Sequence, residues 1–252
     1  GFSQSYRPMI LKDVLPEAVT ERTDANLRDA RGWTIESGVR GTTLGGIGYD
    51  LGGFVMRYAN RFGLLTVTDA GGTPYTYKTN VGTTRTMGLE GRLSAPLGVT
   101  SGTSFRAFSA LALTDARYVK GSVISVGQNL DVSGNAVETA PRVIARGGIN
   151  ARRSSADASL QLSYVSRTFA DALNTITSST TGAVGAVPAY ALVDASASWS
   201  MTPRVRLVVG VNNVLDRQHF TKRPQFYPGP GVWPSDGRTF QISLRVLPNG
   251  AY

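Results

Sequence analysis

The chain has 252 residues, 41% of them apolar, and its 26 Lys and Arg against 17 Asp and Glu give a net charge of +9. It has no Cys and a single His, His219, which excludes disulfides, thiolate metal sites and a multi-histidine zinc site. The basic residues are scattered singly and form no stripe with interleaved aromatic residues, so no nucleic-acid partner is expected.

Helical periodicity is scarce, and no apolar run approaches the roughly 18 residues of a membrane helix. The most helix-like stretch, Glu17–Arg31, is polar and lacks an apolar face, which favours a loop. The chain opens at Gly1 without an initiator Met or a signal peptide, and this predicts a processed product or a fragment.

Apolar and polar side chains alternate along most of the chain, which is the pattern of strands with one apolar face. The clearest run is Ala189–Ser200, where Ala and Val, ending in Trp199, alternate with Asp194 and serines. The pattern predicts about nine full strands and a further stub at Phe2–Arg7. The predicted spans are 31–40, 47–60, 78–95, 103–117, 140–151, 156–169, 188–200, 203–216 and 236–247.

The lengths of these runs and of their connections favour a membrane barrel. Many runs reach the ~9–11 residues of a membrane barrel strand, whereas soluble strands average ~5–6. Short connections near Gly41–Gly46, Leu97–Ser101, Arg153–Ser155 and Met201–Pro203 alternate with long ones near Asp69–Tyr77, Tyr118–Pro141, Asp171–Pro188 and Arg217–Asp236. Aromatic residues near strand ends suit interfacial girdles: Trp33, Tyr49, Tyr58, Tyr118, Tyr164, Tyr190 and Trp199. A soluble β-sandwich shares the alternation and remains an alternative.

Five segments, in order along the chain, resemble motifs of the TonB-dependent outer-membrane receptors. Tyr77–Gly82 followed by Met87–Gly91 resembles a strand of their barrel, and Gly210–Arg217 resembles their Asn-Asn-containing penultimate strand. Tyr227–Phe240 is similar to the last extracellular loop and final strand of ferric citrate-type receptors. The other two segments are Ser5–Pro8 and Ile35–Arg40.

The resemblance implies an all-β fold, an antiparallel transmembrane β-barrel with long extracellular loops and short periplasmic turns. Residues 1–252 would be its C-terminal part, with nine or ten of about 22 strands, and the plug domain and TonB box are absent from this sequence. The expected location is the outer membrane. The expected partners are outer-membrane lipid and lipopolysaccharide, the remaining N-terminal strands and plug, and TonB through that plug.

The implied function is uptake of a ferric chelate, a siderophore or a ferric citrate-like substrate, with no enzymatic chemistry and no cofactor. Ferric chelates are often anionic, so cations in the long loops are candidate ligands. The ligand-binding candidates are Lys120, Arg167, Arg217, Lys222, Arg223, Gln225, Phe226 and Trp233. Contact with lipopolysaccharide phosphate or solvent is an alternative for each of the cations, and capping of the loop is an alternative for the aromatic residues.

Other charged and loop residues receive structural interpretations. The inward-facing Arg106, Arg204, Arg206 and Arg245 are expected to pair with Glu36, Glu90 or Asp194, or with the plug. Asp216 and His219 are expected to be turn and loop residues, and Gly229–Gly231 a tight turn. The alternative functions are TonB-dependent uptake of a cobamide, sugar or peptide, a passive porin or adhesion barrel, and a soluble binding module.

Overall fold

The structure is a computed structural model of the chain, described here for residues 1–11, 15, 21–68, 71–72, 74–125, 127–224 and 230–246. The described residues form sixteen β-strands, some of them only two or three residues long. In chain order these are β1 (Phe2–Arg7), β2 (Glu21–Thr23), β3 (Ala30–Thr42), β4 (Gly48–Thr68), β5 (Pro74–Thr100), β6 (Thr103–Ser125), β7 (Gln128–Asp131), β8 (Val143–Arg153), β9 (Ala156–Val165), β10 (Thr168–Phe169), β11 (Ala186–Val187), β12 (Tyr190–Thr202), β13 (Val205–Asn212), β14 (Phe220–Lys222), β15 (Trp233–Pro234) and β16 (Thr239–Val246).

The main sheet has twelve strands, ten of which follow one meandering path. Their order is β1-β3-β4-β5-β6-β8-β9-β12-β13-β16, and every neighbouring pair on this path is antiparallel. Each strand therefore pairs with the next long strand along the chain, across short turns and long connections alike. The predicted all-β class, the nine spans and the stub at Phe2–Arg7 are confirmed. The sheet does not close on itself, because β1 and β16 pair with no further strand among the described residues.

The two ends of the sheet differ in the connections they carry. At one end the strands are joined by the short turns 43–47, 101–102, 154–155 and 203–204, close to the predicted positions. Thr100 pairs with Thr103 across the two-residue turn Ser101–Gly102, whose φ angles are +50° and +76°. Positive φ at both central residues is the type I′ geometry that matches the twist of a hairpin. The opposite end, called here the long-loop end, carries the long connections.

One face of the sheet is apolar and uncovered. Leu160, Leu162, Trp199 and Ile242 are 54%, 52%, 51% and 79% exposed. Soluble monomers rarely expose contiguous apolar patches beyond a few hundred Å². The alternation thus produces an apolar outer face, which an apolar environment must cover. Among the described residues, no helix is long and apolar enough to cross a membrane.

The inner face is polar, and at two points an aromatic side chain covers a glycine on the neighbouring strand. A Cβ added at Gly88 would lie 2.7 Å from the Phe54 ring, and one added at Gly148 would lie 2.7 Å from the Phe108 ring. Both glycines therefore leave room for an aromatic ring from the neighbouring strand. The buried side chains lie elsewhere, mainly in the loops at the long-loop end.

Several sequence-based expectations need correction. The segment Glu17–Arg31 contains β2, which pairs in parallel with β5 and makes the sheet locally mixed. The connections after β4 and β6 are shorter than predicted, because β4, β5 and β6 extend further than expected and β7 folds back on β6. The connections after β9 and β13 are longer than predicted, and run over residues 166–189 and 213–238. Tyr118 is not a girdle residue, since it is only 6% exposed beneath the loops. The predicted residues Gln225–Gly229 and Leu247–Tyr252 lie outside the described part of the chain.

Candidate functional site

The outer end of β6 and the connections after β6, β9 and β13 pack together at the long-loop end, and their described residues within 118–142, 166–189 and 213–238 are called here the loop layer. The Asn135 amide donates to the Ala172 carbonyl at 2.9 Å. The backbone N–H of Ala136 donates to Asn174 Oδ1 at 2.7 Å, and Asn174 Nδ2 donates back to the Ala136 carbonyl at 2.8 Å. Neighbouring loops are thus joined by backbone-to-side-chain hydrogen bonds, which fix their relative position.

Tyr118 is the buried centre of this layer. Its hydroxyl donates to Glu138 Oε2 at 2.7 Å and accepts from the Arg61 guanidinium at 3.0 Å. Its ring packs against Val132 and Ala172. Leu113 faces outward, and residues an odd number of positions away along β6 face inward, so Tyr118 lies on the inner face. The alternation of β6 could therefore have predicted this position, whereas the closeness of Tyr118 to the predicted strand end suggested a girdle.

Among the described residues, Arg223 alone of the candidate ligands has its whole guanidinium hydrogen-bonded within the loop layer. Its Nε donates to the Ala186 carbonyl at 3.0 Å, one Nη to the Gly182 carbonyl at 2.6 Å, and the other Nη to Ser178 Oγ at 2.9 Å. The guanidinium also lies 4.8 Å from the centroid of the Phe220 ring. These contacts fasten the loop after β13 to the loop after β9.

The other described candidates are exposed. Lys222 and Trp233 occupy paired positions on the ribbon formed by β14 and β15, and Trp233 is 51% exposed. Exposed Lys120 lies near the outer end of β6, and exposed Arg217 lies in the loop after β13. The guanidinium of exposed Arg167 is 5.5 Å from the centroid of Phe169. Gln225 and Phe226 lie outside the described residues.

The Asn213–Asp216 turn orders the start of the loop after β13. Asn213 is buried, with φ +50°, and its side chain both donates to and accepts from the backbone of Arg217. Asp216 has φ +52° and its Oδ1 accepts from the Arg238 backbone N–H at 2.8 Å. The interpretation of Asp216 as a turn residue is confirmed. His219 is a loop residue whose ring stands 4.7 Å from that of Tyr190.

The inner wall carries a second group of cations, nearer the short turns. Arg206 donates to Asp157 Oδ2 at 2.7 Å, and Asp157 Oδ1 accepts from Arg152 at 2.5 Å. Arg206 therefore pairs with Asp157 and not with one of the expected wall carboxylates, and Asp194 instead accepts the Asn213 backbone N–H. A polar groove of about 630 Å³ runs along these side chains and also contacts Arg106 and Arg245. The groove is lined by four arginines and one aspartate, so its net charge is positive.

Hydrogen bonds to the Asp24 carboxylate hold the segment before β3 in place. The Thr79 hydroxyl donates to Asp24 Oδ2 at 2.6 Å, and the Asn26 backbone N–H donates to Asp24 Oδ1 at 2.8 Å. These hydrogen bonds, with that of Thr79 the strongest influence, lower the pKa of Asp24 below its ordinary value. In the described residues, no group of three or more His, Asp or Glu side chains is placed to hold a metal ion.

Comparison with known proteins identifies relatives by sequence pattern and by fold. The family described as TonB dependent receptor-like, β-barrel, matches residues 1–214. A comparison with curated proteins gives no significant match. Among solved structures, the unliganded ferric citrate transporter FecA is 21% identical with a TM-score of 0.67, and the alignment covers 86% of this chain and 31% of FecA.

Two further structures have the same fold. The siderophore receptor PiuA from Acinetobacter baumannii is 19% identical with a TM-score of 0.68, over 97% of this chain and 33% of PiuA. The copper transporter OprC is 15% identical with a TM-score of 0.66, over 97% of this chain and 36% of OprC. The chain therefore spans about a third of the length of these proteins.

Proposed function

Because this chain belongs to the family of TonB-dependent receptor β-barrels, we propose that it forms the C-terminal part of the wall of an outer-membrane receptor that takes up a ferric chelate with energy coupled through TonB. The family consists of receptors and transporters, so the chain is not an enzyme. The open edges at β1 and β16 support a role as part of a larger barrel, because unpaired backbone groups are costly in lipid. Further N-terminal strands and a plug would complete it.

The observation that carries the proposal is the fixed loop layer, which presents exposed cations and an exposed aromatic ring. Lys222 and Trp233 are neighbours there, so an ammonium group and an indole face solvent side by side. An anionic chelate with a flat organic shell would meet a positive charge and a stacking surface together. Arg167 and Arg217, both exposed, add positive charge to the same layer.

Arg223 has a different role within this proposal. Its three hydrogen bonds hold the surface in shape, so we assign it to positioning the loops, while Lys222 and Trp233 contact the substrate. Gln225 and Phe226 follow Arg223 after the single residue Pro224 and remain proposed ligands.

A genetic experiment tests uptake. A strain lacking the full-length receptor gene is grown on single iron sources, and uptake of radiolabelled iron is measured after complementation with the wild type, Lys222→Gln or Trp233→Ala. One ferric chelate should require the receptor, and both variants should lower its uptake. Arg153→Gln, an exposed residue at the short-turn end, is the matched control and should behave as the wild type. Normal growth and uptake on every chelate after deletion would refute the proposal.

Uptake of a non-iron substrate is the second candidate, favoured by the similarity to the copper transporter OprC. The same strains grown in limiting copper, or on a cobamide, sugar or peptide, distinguish it from iron uptake. Removing TonB separates both from a passive porin, because uptake through a porin would continue without it.

A further inference from the structure

Three arginines lie side by side on adjacent strands. Arg57 on β4 is directly opposite Arg85 on β5, and Arg85 is directly opposite Arg117 on β6. Neighbouring strands are about 4.8 Å apart, so three positive charges originate within roughly 10 Å of each other. Like charges directly opposite one another destabilise a sheet. A row of this kind indicates a site for an anion, and it is called here the arginine row.

The arginine row is on the outer, apolar face. Residues two apart in a strand share a face. Towards the short turns, the residues that share a face with the row are Val55 on β4, Met87 and Leu89 on β5, and Asp115 and Leu113 on β6. Leu89 is 64% exposed. The row thus stands at the long-loop border of the uncovered apolar surface, where a membrane headgroup region would begin.

Only one of the three arginines is balanced by an acid in the described structure. Arg117 Nε donates to both carboxylate oxygens of Asp115, at 2.9 and 3.1 Å, and its Nη1 donates to the Gly134 carbonyl at 2.8 Å. Arg57 and Arg85 are exposed, and neither side chain has an ion pair or hydrogen bond with the described residues. Arg117 is therefore held in place while its two neighbours can reach a ligand.

An apolar groove lies directly below the row. It has a volume of about 560 Å³, and Val55, Met87, Leu89 and Leu113 contribute to its lining. Its upper rim carries Asp115 and a further cation, Arg142. An apolar groove next to a cluster of guanidinium groups fits an amphiphile with a phosphate headgroup and an acyl chain.

We propose that the arginine row binds the phosphate groups of lipopolysaccharide in the outer leaflet, with an acyl chain lying in the groove below. A phosphate monoester carries about −1.5 to −2 charges at neutral pH, and guanidinium groups bind it in a bidentate manner. This interaction offsets the repulsion between Arg57 and Arg85 and anchors the wall at a fixed depth. The proposal rests on the proposed function only for the location in an outer membrane.

Lipid binding is measured on the purified full-length receptor in detergent, titrated with lipopolysaccharide and followed by native mass spectrometry. The test variant is Arg57→Gln/Arg85→Gln. The matched control is Arg92→Gln/Arg146→Gln, which removes the same charge from exposed positions on the inner face of the same sheet. Heat-modifiable migration verifies that each variant is folded.

The test variant should bind lipopolysaccharide roughly tenfold or more weakly, as expected for the loss of hydrogen bonds to charged groups, while the control stays within about twofold of the wild type. Dephosphorylated lipopolysaccharide should bind the wild type as weakly as the intact lipid binds the test variant. Equal binding by the wild type and the test variant would overturn the proposal, as would undiminished binding of the dephosphorylated lipid. Displacement by inorganic phosphate at concentrations matching the lipid would replace it with a free-anion site.

Uptake assays keep this result separate from the proposed function. Cells carrying Arg57→Gln/Arg85→Gln should import the substrate as the wild type does, because the row faces away from the inner wall. If no chelate depended on the receptor while the lipid titrations behaved as expected, the uptake proposal would fail and the lipid site would stand.

Discussion

Replacing Arg223 by Lys separates a loop-positioning role from a ligand-binding role. The guanidinium donates to two carbonyls and one hydroxyl of the loop after β9. Lysine keeps the positive charge but has a compact ammonium group that cannot match this planar arrangement of donors. A substrate that needs only a cation would tolerate the change, whereas the loop would not.

The size of the effect follows from the number of hydrogen bonds lost. An ammonium group can keep one of the three acceptors, so two hydrogen bonds are lost. Hydrogen bonds to charged groups contribute about 1.5–3 kcal/mol each, and because Arg223 is half-buried we take the contribution as about 1 kcal/mol each. The expected loss of local stability is about 2 kcal/mol, or a roughly 30-fold increase in loop opening.

Hydrogen exchange of the full-length receptor measures this opening. The amides of Ser179, Gly182 and Ala186 donate to carbonyls within the same loop and should exchange roughly 30-fold faster in Arg223→Lys, since exchange reports local opening. Arg217→Lys is the control, because this exposed arginine has no side-chain hydrogen bond among the described residues. Unchanged exchange combined with weaker substrate binding would refute the positioning role and make Arg223 a direct ligand.

Three further predictions concern the wall and the segment before β3. Asp157→Asn removes the carboxylate that pairs with both Arg152 and Arg206. Because these pairs are partly exposed, stability should fall by about 1 kcal/mol, measured as a lower midpoint temperature of heat-modifiable migration. Gly148→Ala places a Cβ against the Leu160 carbonyl and should destabilise the sheet by about 1–3 kcal/mol, whereas Gly210→Ala, with 3.9 Å to its nearest neighbour, should be tolerated. Because folding lowers the pKa of Asp24 from its ordinary value of 3.8, the charged carboxylate stabilises its segment above pH 3.8. This contribution is lost as the pH falls through the folded-state pKa. Exchange of the Asn26 amide should therefore show an additional acid-induced opening that Asp24→Asn removes.

The sheet could be predicted almost completely because its determinants are local. A strand with one apolar face shows its phase within a few residues, and a short turn at Ser101–Gly102 fixes the register of the two strands it joins. The ends of β4 and β5 were less predictable. Beyond the wall these two strands pair with each other, and β5 pairs also with β2, so the apolar alternation that marks the wall is no longer required there.

The loop layer was far less accessible from the sequence. Loop residues have no periodic pattern, and their contacts join segments distant along the chain, as between Arg223 and Ser178. All the cations in the long loops therefore looked equivalent as ligands. The structure separates them by hydrogen bonding, because Arg223 is bonded through its whole guanidinium while Lys222, the preceding residue, is exposed.

The same limit explains why the arginine row is invisible in the sequence. The alternation pattern assigns Arg57, Arg85 and Arg117 to the outer face. Within its own strand, each is then a single polar residue in an otherwise apolar series. Only the strand register makes them direct neighbours, and a shift of one residue in either pairing would turn a guanidinium to the inner wall. Since the register is fixed by turns and by the apolar face along the whole of each strand, the repulsion within the row persists in the folded sheet. A bound anion relieves this repulsion without any change in strand pairing.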